Sequence, residues 1–356
     1  MTRVCCFGAY DPLYPRNRIL RQGLRRAGLD VVEACVASRR VWMRYPALLA
    51  AWSRVASSCD VMLVPEFRHK DMPLAHALHG RRPIVFDPLV SRHDTLVGDW
   101  KLHAKSSGQA RWNRFLDRWS IADADLILCD TWAHGELFES LGAPRAKLRR
   151  VLVGAEDAFF AVPPPPSQGP VRILYVGGFL PLHGMPTVME ALAILERHAS
   201  SLPAYVAQLV GTGIDHDAAR TLAADHSLEN VEFTGKLAYE DAPRVFAGAH
   251  ITLGAFGAGE KAGRVIPHKL YQGLAAARAV VSGDGAGVRE VLVDGEHLLL
   301  VPRGDPAALA QALMRLLGDS SARMAMGARA RARALEVATP DAVGRTLASA
   351  ISEIRP

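Results

Sequence analysis

The chain has 356 residues, which suggests two domains, and its 49% hydrophobic and 22% charged residues exclude wholesale disorder. It shows no apolar run of the roughly 18 residues that a membrane span needs and no signal peptide, and five cysteines make a disulfide framework unexpected, so we expect a cytoplasmic protein. Residues 1–166 carry 24 Lys and Arg against 17 Asp and Glu, whereas residues 167–356 carry 18 against 19. The basic first part also holds all six tryptophans, which favours an anionic partner for it.

Short apolar runs recur along the chain, with amphipathic segments such as 17–27, 185–198 and 306–317 between them. The runs are 4–7, 31–35, 61–64, 84–86, 126–129 and 151–153, then 171–176, 205–210, 231–233, 251–253, 280–282 and 298–301. Most lack polar alternation, as is typical of parallel strands buried on both faces. Six strands in each half predict an α/β protein with two tandem, doubly wound, Rossmann-like domains.

A proline-rich segment, 163–170, separates the two sets of strands. It predicts an N-terminal domain over 1–166 and a C-terminal domain over 167–338. Residues 339–356 follow, with a final helical pattern at about 341–354 and no strand after it.

Glycine-rich loops follow three strands of the second half. Gly177 and Gly178 follow the first strand, Gly211 and Gly213 the second, and residues 283–287 the fifth. Ligands of doubly wound sheets bind beyond the carboxyl ends of the strands, where glycine permits close backbone approach and helix N-termini bind phosphate. Tight turns alone also select glycine, but three such loops on one edge favour an anion-binding crevice.

Other nucleotide and metal motifs fail on spacing. Gly211-Thr212-Gly213 lacks the third glycine of a dinucleotide fingerprint, and no phosphate-binding P-loop is present. Asp123-Ala124-Asp125 precedes a strand rather than following one, which is typical of a helix-to-strand turn. The thirteen histidines show no zinc spacing, so we expect no metal and no cofactor.

At these loops the second half resembles the GT-B glycosyltransferases, specifically the retaining family-4 group (glycosyl transferases group 1). The resemblance covers about 171–318 and rests on segments 173–184, 209–213, 231–235, 267–282 and 287–306, in order and at matching spacing. It implies two domains facing across a crevice, a nucleotide-diphosphate sugar bound by the second, an acceptor bound by the first, and a final helix that crosses back to the first domain. The activity implied is hexosyl transfer to an acceptor hydroxyl with retention, in glycan biosynthesis.

The resemblance also implies a set of donor-binding residues. They are Gly177, Gly178, Phe179, His183, Gly184, Gly211, Gly213, Lys236, Leu237, Lys261, Arg264, His268, Lys269 and Gln272. The family's donor loop carries Arg and Lys where this chain has Gly178 and His183, and its paired glutamates fall at Arg264 and Gln272. A leaving diphosphate still requires positive charge. We therefore expect Lys261, Arg264, Lys269, a helix dipole and a protonated His183 to supply it.

Candidate acceptor-side residues follow strands of the first half. Asp87 directly follows the fourth strand, with Ser91, His93 and Asp94 on the same loop. A carboxylate there can take a proton from an acceptor hydroxyl, so we expect Asp87, His93 or Asp94 to be catalytic, with Asp87 first. The opposing interpretation is a turn held by side-chain hydrogen bonds. Gly8, Tyr10, Asp11 and Arg16 follow the first strand and are expected on the acceptor side with Ser91.

Two segments combine arginines with aromatic residues, namely 39–52 and 101–119. Such composition suits peripheral contact with the inner face of a membrane and a lipid-linked acceptor, although packed surface helices look similar. The acceptor class stays open among glycans, lipid-linked sugars and small molecules, and no nucleic-acid motif appears. Alternatives to a glycosyltransferase are a GT-B sugar-nucleotide epimerase and a non-catalytic protein that binds sugar nucleotides or glycans.

Overall fold

The computed structural model describes residues 1–37 and 40–354, so Arg39 of the first aromatic segment lies outside the described residues. The chain forms two compact units, one of Met1–Gly154 with Thr339–Pro356 and one of Ala155–Ala338. The proline-rich segment that we expected at the domain boundary belongs to the second unit, where the Pro163 carbonyl accepts a hydrogen bond from Arg278.

Within residues 1–37 and 40–354, twelve strands form two sheets of six, and every strand pairing there is parallel. In chain order the strands are β1 (Arg3–Gly8), β2 (Asp30–Cys35), β3 (Val61–Val64), β4 (Ile84–Phe86), β5 (Leu126–Cys129), β6 (Leu148–Arg150), β7 (Val171–Val176), β8 (Tyr205–Val210), β9 (Val231–Thr234), β10 (Ile251–Leu253), β11 (Ala279–Gly283) and β12 (Leu299–Val301). The predicted α/β fold with two Rossmann-like sheets is confirmed. The prediction for the sixth strand of the first half was wrong, since the strand is Leu148–Arg150 and not 151–153. The carbonyls of Val151 and Leu152 accept hydrogen bonds from the Arg16 side chain instead.

The α-helices lie mainly between consecutive strands. They are α1 (Pro15–Arg26), α2 (Val41–Ser53), α3 (Met72–Leu78), α4 (Gly108–Ala122), α5 (Trp132–Ser140), α6 (Asp157–Phe160), α7 (Met185–Arg197), α8 (His216–Asp225), α9 (Ala242–Gly248), α10 (Glu260–Arg264), α11 (His268–Ala275), α12 (Ala286–Arg289), α13 (Pro306–Gly318), α14 (Ser320–Val337) and α15 (Pro340–Glu353). Ser107, Thr131, Asp305 and Thr339 accept backbone N–H bonds as N-caps of their helices, which sets where these helices begin.

The first unit has the strand order β2-β1-β3-β4-β5-β6. The chain therefore turns to opposite sides of the sheet after β1 and after β3, and ligands of such sheets bind at the gap between these two strands. Helix α15 packs against α1 through glycine, since a Cβ on Gly23 would lie 2.4 Å from the Pro340 carbonyl oxygen and one on Gly344 would lie 2.2 Å from that of Gly23. The two backbones approach this closely only without side chains.

The second unit has the strand order β12-β11-β10-β7-β8-β9. One core cluster includes Ile173, Tyr175 and Val281 on one face of the sheet, and the alternate residues Leu174 and Val280 are buried on the other face. The corresponding gap opens between β7 and β10, so the loops that follow these strands are where a ligand is expected.

Candidate functional site

A buried lysine marks the carboxyl end of β7. Lys269 follows His268 at the start of α11 and is 7% exposed, with its Nζ 3.7 Å from the centroid of the Tyr175 ring. A Cβ on Gly177 would lie 2.9 Å from this Nζ, so the missing side chain makes room for the ammonium group. Within the part of the chain that the structure describes, no hydrogen-bond acceptor reaches Nζ. Burial lowers the pKa of Lys269 well below its ordinary value, because the ammonium has lost water without gaining an anion.

His183 lies beside this lysine in a network of polar contacts. Its Nδ1 is 2.8 Å from the Tyr175 hydroxyl, which donates to the Gly178 carbonyl at 2.6 Å, and Nδ1 also contacts that carbonyl oxygen. Burial, reinforced by the charge of Lys269, lowers the pKa of His183 well below its ordinary value. This direction of the pKa of His183 does not support the expectation of a protonated ring, because burial favours its neutral form.

The glycines of the first two loops pack against protein backbone. A Cβ on Gly211 would lie 2.0 Å from the Gly177 carbonyl oxygen, and one on Gly213 would lie 2.5 Å from the Phe179 nitrogen. Gly184, with φ of +66°, would bring a Cβ within 2.5 Å of the Gly257 nitrogen. Close loop packing thus accounts for these glycines, and it holds Gly177 and Gly178 rigidly beside Lys269.

A second polar chain reaches α11 from the start of the unit. Gln272 donates from Nε2 to the Tyr239 hydroxyl at 3.0 Å, and that hydroxyl donates to the Glu156 carboxylate. Sequence reasoning missed Glu156 and Tyr239, because neither stands in a recognisable motif. This series of hydrogen bonds orients Gln272, which is 5% exposed. Gln272 stands at the position where the family that the sequence resembles has its second glutamate.

The other residues that we expected to bind the donor differ in their surroundings. Lys261 is buried in α10, and its charge also lowers the pKa of His183, whereas Arg264 donates to Glu260 at 3.0 Å. Phe179 is a core residue, fully buried against Tyr175, so its expected ligand contact is corrected. The members beyond these are placed as follows: Lys236 is exposed and Leu237 half-buried after the edge strand β9, and the His268 ring lies near Tyr239.

In the first unit, Asp87 is held in a buried ion pair. Both of its carboxylate oxygens accept from Arg16, at 2.9 and 3.1 Å, and both side chains are 1% exposed. Arg16 also donates to the carbonyls of Val151 and Leu152, at 3.0 and 2.6 Å. With both carboxylate oxygens engaged by one guanidinium, Asp87 and Arg16 have the geometry of a structural ion pair, which argues against the roles that we expected for them on the acceptor side. The pair joins the loop after β4 to the chain after β6.

The loop after Asp87 is anchored by a residue that sequence reasoning missed. Asp117 of α4 accepts from the Ser91 hydroxyl at 2.7 Å and from the backbone nitrogen of His93 at 2.9 Å. The Ser91 hydroxyl accepts from the Asp94 nitrogen at 3.0 Å, so it caps the π-helical turn that Asp94 begins. Ser91 is thus structural, the turn interpretation fits this segment, and the side chains of His93 and Asp94 remain half-buried beside it.

The loop after β1 is similarly tied to its surroundings. The Ala9 nitrogen, next to Gly8, donates to Asp71 at 2.9 Å, and the Tyr10 hydroxyl donates to Glu33 at 2.7 Å. Asp11 accepts from the Leu13 nitrogen at 2.9 Å and shapes the turn into α1. These expected acceptor-side residues lie at the carboxyl edge of the sheet, but the contacts seen here hold the loop.

No cluster of three or more metal-binding side chains occurs among residues 1–37 and 40–354. Asp125 accepts from the Ile84 nitrogen at 2.8 Å and Asp123 ends α4, which fits the helix-to-strand turn. None of the helices in the described ranges is long and apolar enough to cross a membrane.

Comparison with known proteins agrees with this architecture. Residues 170–319 match the model of the family described as Glycosyl transferases group 1. The lipopolysaccharide core biosynthesis glycosyltransferase LpsE of Rhizobium meliloti (strain 1021) is 27% identical over 282 residues, which cover 76% of this chain and 75% of the relative. The phosphatidyl-myo-inositol mannosyltransferase of Mycolicibacterium smegmatis is 31% identical over 202 residues, or 55% of this chain and 48% of the relative.

Solved structures resemble the whole chain. Alr3699/HepE of Anabaena, in complex with UDP and glucose, superposes with a TM-score of 0.73 at 15% identity, covering 99% of this chain and 100% of that one. Sucrose-phosphate synthase from Thermosynechococcus elongatus gives a TM-score of 0.75 at 15% identity, with 99% of both chains covered. The fold is therefore GT-B. Residues 170–319 of the second unit are similar to the glycosyl transferases group 1 family, and the relatives named above are glycosyltransferases, so the class of protein indicated is a glycosyltransferase.

Proposed function

We propose that this enzyme transfers a hexose from a nucleotide-diphosphate sugar to an acceptor hydroxyl in glycan biosynthesis, with retention of anomeric configuration. The observation that carries the proposal is the buried amino group of Lys269, which faces Gly177 without a hydrogen-bond acceptor in the described chain. A desolvated amino group at a ligand-binding gap pairs, once protonated, with an anion such as a diphosphate. The UDP found with Alr3699/HepE and the glycosyltransferase names of the relatives support the same donor class.

In this proposal the second unit stabilises the leaving nucleoside diphosphate. As the bond between the sugar C1 and the phosphate oxygen breaks, negative charge grows on the diphosphate, and cations placed beforehand lower the barrier. Lys269 carries most of this role, with Lys261 and Arg264 of α10 contributing. The positive end of the α11 dipole adds to it, since no side chain caps the helix at Pro267.

The acceptor oxygen forms its bond to C1 on the face that the diphosphate leaves, and the acceptor proton passes to a diphosphate oxygen. This route yields retention and needs no protein base at Asp87. We propose that it proceeds without a metal ion, because protein cations neutralise the diphosphate. Nucleoside-diphosphate binding that vanishes in excess chelator and returns with Mg²⁺ would contradict this part.

The donor proposal is tested by calorimetry with UDP, GDP and ADP. Lys269→Met should weaken binding of the cognate diphosphate by about 1.5–3 kcal/mol, the range for a hydrogen bond to a charged group, while keeping the length of the side chain. Arg244→Met is the matched control, because Arg244 is an 87% exposed cation of the same unit. Equal affinity of Lys269→Met and wild type would refute the role of Lys269, and binding of none of the three nucleotides would refute the donor class.

We further propose that the first unit contacts an anionic membrane surface through α4, so that the acceptor is lipid-linked. Trp112, Phe115 and Trp119 are 51%, 50% and 38% exposed, and their rings follow one another at 5.5 and 5.6 Å. Arg111, Arg114 and Arg118 alternate with these aromatics, and no carboxylate pairs with any of the three among the residues described. Exposed aromatics with unpaired cations suit the interface of anionic lipids.

Sedimentation with phosphatidylglycerol-containing vesicles tests this contact. Wild type should sediment with anionic vesicles and not with phosphatidylcholine vesicles, and the combined change Trp112→Ser with Arg114→Glu should abolish sedimentation. Arg244→Glu, a charge reversal in the second unit, should leave sedimentation unchanged. Failure of wild type to bind anionic vesicles would overturn the membrane proposal without touching the donor proposal.

A further inference from the structure

Among the buried side-chain oxygen atoms of the first unit that have no hydrogen-bond donor in the described chain, two belong to side chains that interact with each other. They are Oε2 of Glu66 and Oδ1 of Asn17, and each side chain is 2% exposed. A buried acceptor without a donor costs about 1–3 kcal/mol, so natural proteins rarely leave two of them in one place. Sequence reasoning missed both residues, although Glu66 stands only two positions after a buried strand.

These atoms belong to the elements on either side of the gap between β1 and β3. Asn17 lies in the first turn of α1, which follows β1, and its Nδ2 donates to the Asp11 carbonyl at 2.8 Å. Glu66 lies on the loop after β3, and the Asn17 side chain interacts with its carboxylate. The chain reverses direction across the sheet at this gap, which is where sheets of this order bind ligands.

The backbone holds Glu66 in place at some cost. Phe67 adopts a φ of +59°, and Leu89 of the neighbouring loop adopts a φ of +57°. Residues other than glycine rarely adopt this left-handed region. The Phe67 nitrogen donates to the Pro88 carbonyl at 3.3 Å, and Arg68 donates from Nε to the Glu66 carbonyl at 3.1 Å. Strain of this kind persists where the surroundings hold the backbone in place, and it concentrates at ligand sites.

The chemistry of the two oxygens indicates what they bind. Oδ1 of Asn17 is an acceptor, so the ligand must supply a hydrogen-bond donor to it. The charged and titratable groups around Glu66 are Asp87, already paired with Arg16, together with Arg68 and Tyr14. Burial and the Asp87 charge raise the pKa of Glu66 to about 8, so at neutral pH its carboxyl group mostly keeps a proton and can both donate and accept. A neutral hydroxyl group satisfies such a site better than an anion does.

We propose that Glu66 and Asn17 form a binding site for a hydroxyl group of a polyol, such as a sugar or cyclitol. The identity of this polyol as the glycosyl acceptor rests on the proposed function, whereas the hydroxyl site itself does not. Glu66 and Asn17 are binding residues in this proposal, and the polyol replaces the hydrogen bonds that the folded chain leaves unmade.

Saturation-transfer NMR tests the site with four probes: methyl α-D-glucopyranoside, methyl α-D-mannopyranoside, myo-inositol and ethanolamine. At least one polyol should receive saturation from wild type and bind about tenfold more weakly to Glu66→Leu, as expected when a hydrogen bond to a buried group is lost. Glu139→Leu is the control, because Glu139 is a carboxylate of α5 whose ion pair with Arg145 spans 3.7 Å. The Glu66→Leu change should not lower the melting temperature, since it replaces a desolvated carboxyl group by an apolar side chain.

Three results would overturn the inference: no saturation of any polyol, equal polyol binding by wild type and Glu66→Leu, or preference for ethanolamine, which would make the ligand an amine. A large loss of stability in Glu66→Leu with unchanged polyol binding would show a structural role instead. The nucleoside diphosphates are added to the same samples. If the nucleoside diphosphates fail to bind while polyols bind through Glu66, the proposed function fails and the hydroxyl site stands. If the nucleoside diphosphates bind while no polyol binds, the hydroxyl site fails and the proposed function stands.

Discussion

Replacing Asp87 by Asn distinguishes a catalytic base from a structural ion pair. The change keeps the shape of the side chain but removes the charge that offsets Arg16, which is 1% exposed. Arg16 retains its two carbonyl acceptors, and the Asn oxygen can still accept one hydrogen bond. The buried guanidinium of Arg16 then lacks the charge of Asp87, and breaking a buried pair typically costs about 3–5 kcal/mol.

The size of the effect makes it measurable in the first unit alone. All six tryptophans lie within residues 1–154, so intrinsic fluorescence recorded on heating reports the thermal unfolding of that unit. At about 2–4 °C per kcal/mol, we expect a melting temperature lower by roughly 6–20 °C. Asp30→Asn is the control, because Asp30 pairs with Arg3 at a side-chain exposure of 37%, and loss of an exposed pair costs at most about 1 kcal/mol.

A double variant separates the charge from its geometry. Arg16→Met with Asp87→Leu removes both charges and should recover much of the stability that Asp87→Asn loses, because apolar residues of similar volume often replace a buried pair without loss. An Asp87→Asn protein that unfolds like wild type but turns over slowly would refute this reasoning. It would restore the interpretation of Asp87 as the residue that takes the acceptor proton.

Three further outcomes follow from individual contacts. Diphosphate binding should take up a proton, because the anion restores the lowered pKa of Lys269; affinity should then fall with rising pH, and calorimetry in buffers of different ionisation enthalpy should show no uptake in Lys269→Met. Wild type should lose stability relative to Glu66→Gln as pH rises from about 4.5 to about 8, by at most about 5 kcal/mol, because the folded state holds the Glu66 proton more tightly; parallel pH profiles of the two melting temperatures would contradict this. Gly211→Ala should destabilise the second unit by about 2 kcal/mol or more, because the φ of Gly211 is +127° and an added Cβ would lie 2.0 Å from the Gly177 carbonyl oxygen. Gly235→Ala is the control and should not destabilise the unit, since open space surrounds that position. Equal melting temperatures of the two variants would refute the close packing of the two loops.

Patterns local to the chain predicted most of the architecture. Strands such as Val61–Val64 and Leu126–Cys129 are short apolar runs bounded by polar turns, and burial on both faces of a parallel sheet requires that composition. The same reasoning missed β6, because Leu148–Arg150 ends in two arginines and the more apolar 151–153 follows it. Hydrophobicity locates a buried segment there but does not show which residues form the ladder of hydrogen bonds.

Aromatic residues show the same limit at the surface. Trp52 and Trp119 both lie on helices with arginines nearby, yet Trp52 is 6% exposed in the core and Trp119 is 38% exposed beside Phe115. Composition could not separate a packed helix from a docking face, because the difference depends on which side of each helix meets the sheet.

The sequence alone determined the two Rossmann-like sheets, the glycine loops at their carboxyl edges and the family resemblance of the second half, because these depend on neighbours in the chain. Only the tertiary structure decided what the polar residues at those edges do. Asp87 meets Arg16 across 71 positions, and Lys269 reaches the space left by Gly177. The partners of a charge, and the water that it loses, are set by residues distant in sequence. For this reason Asp87, which we expected to act as a base, lies in an ion pair. His183, which we expected to be a cation, has a lowered pKa that favours the neutral ring, and Glu66, which we did not expect at a site, is a buried carboxyl group whose pKa is raised.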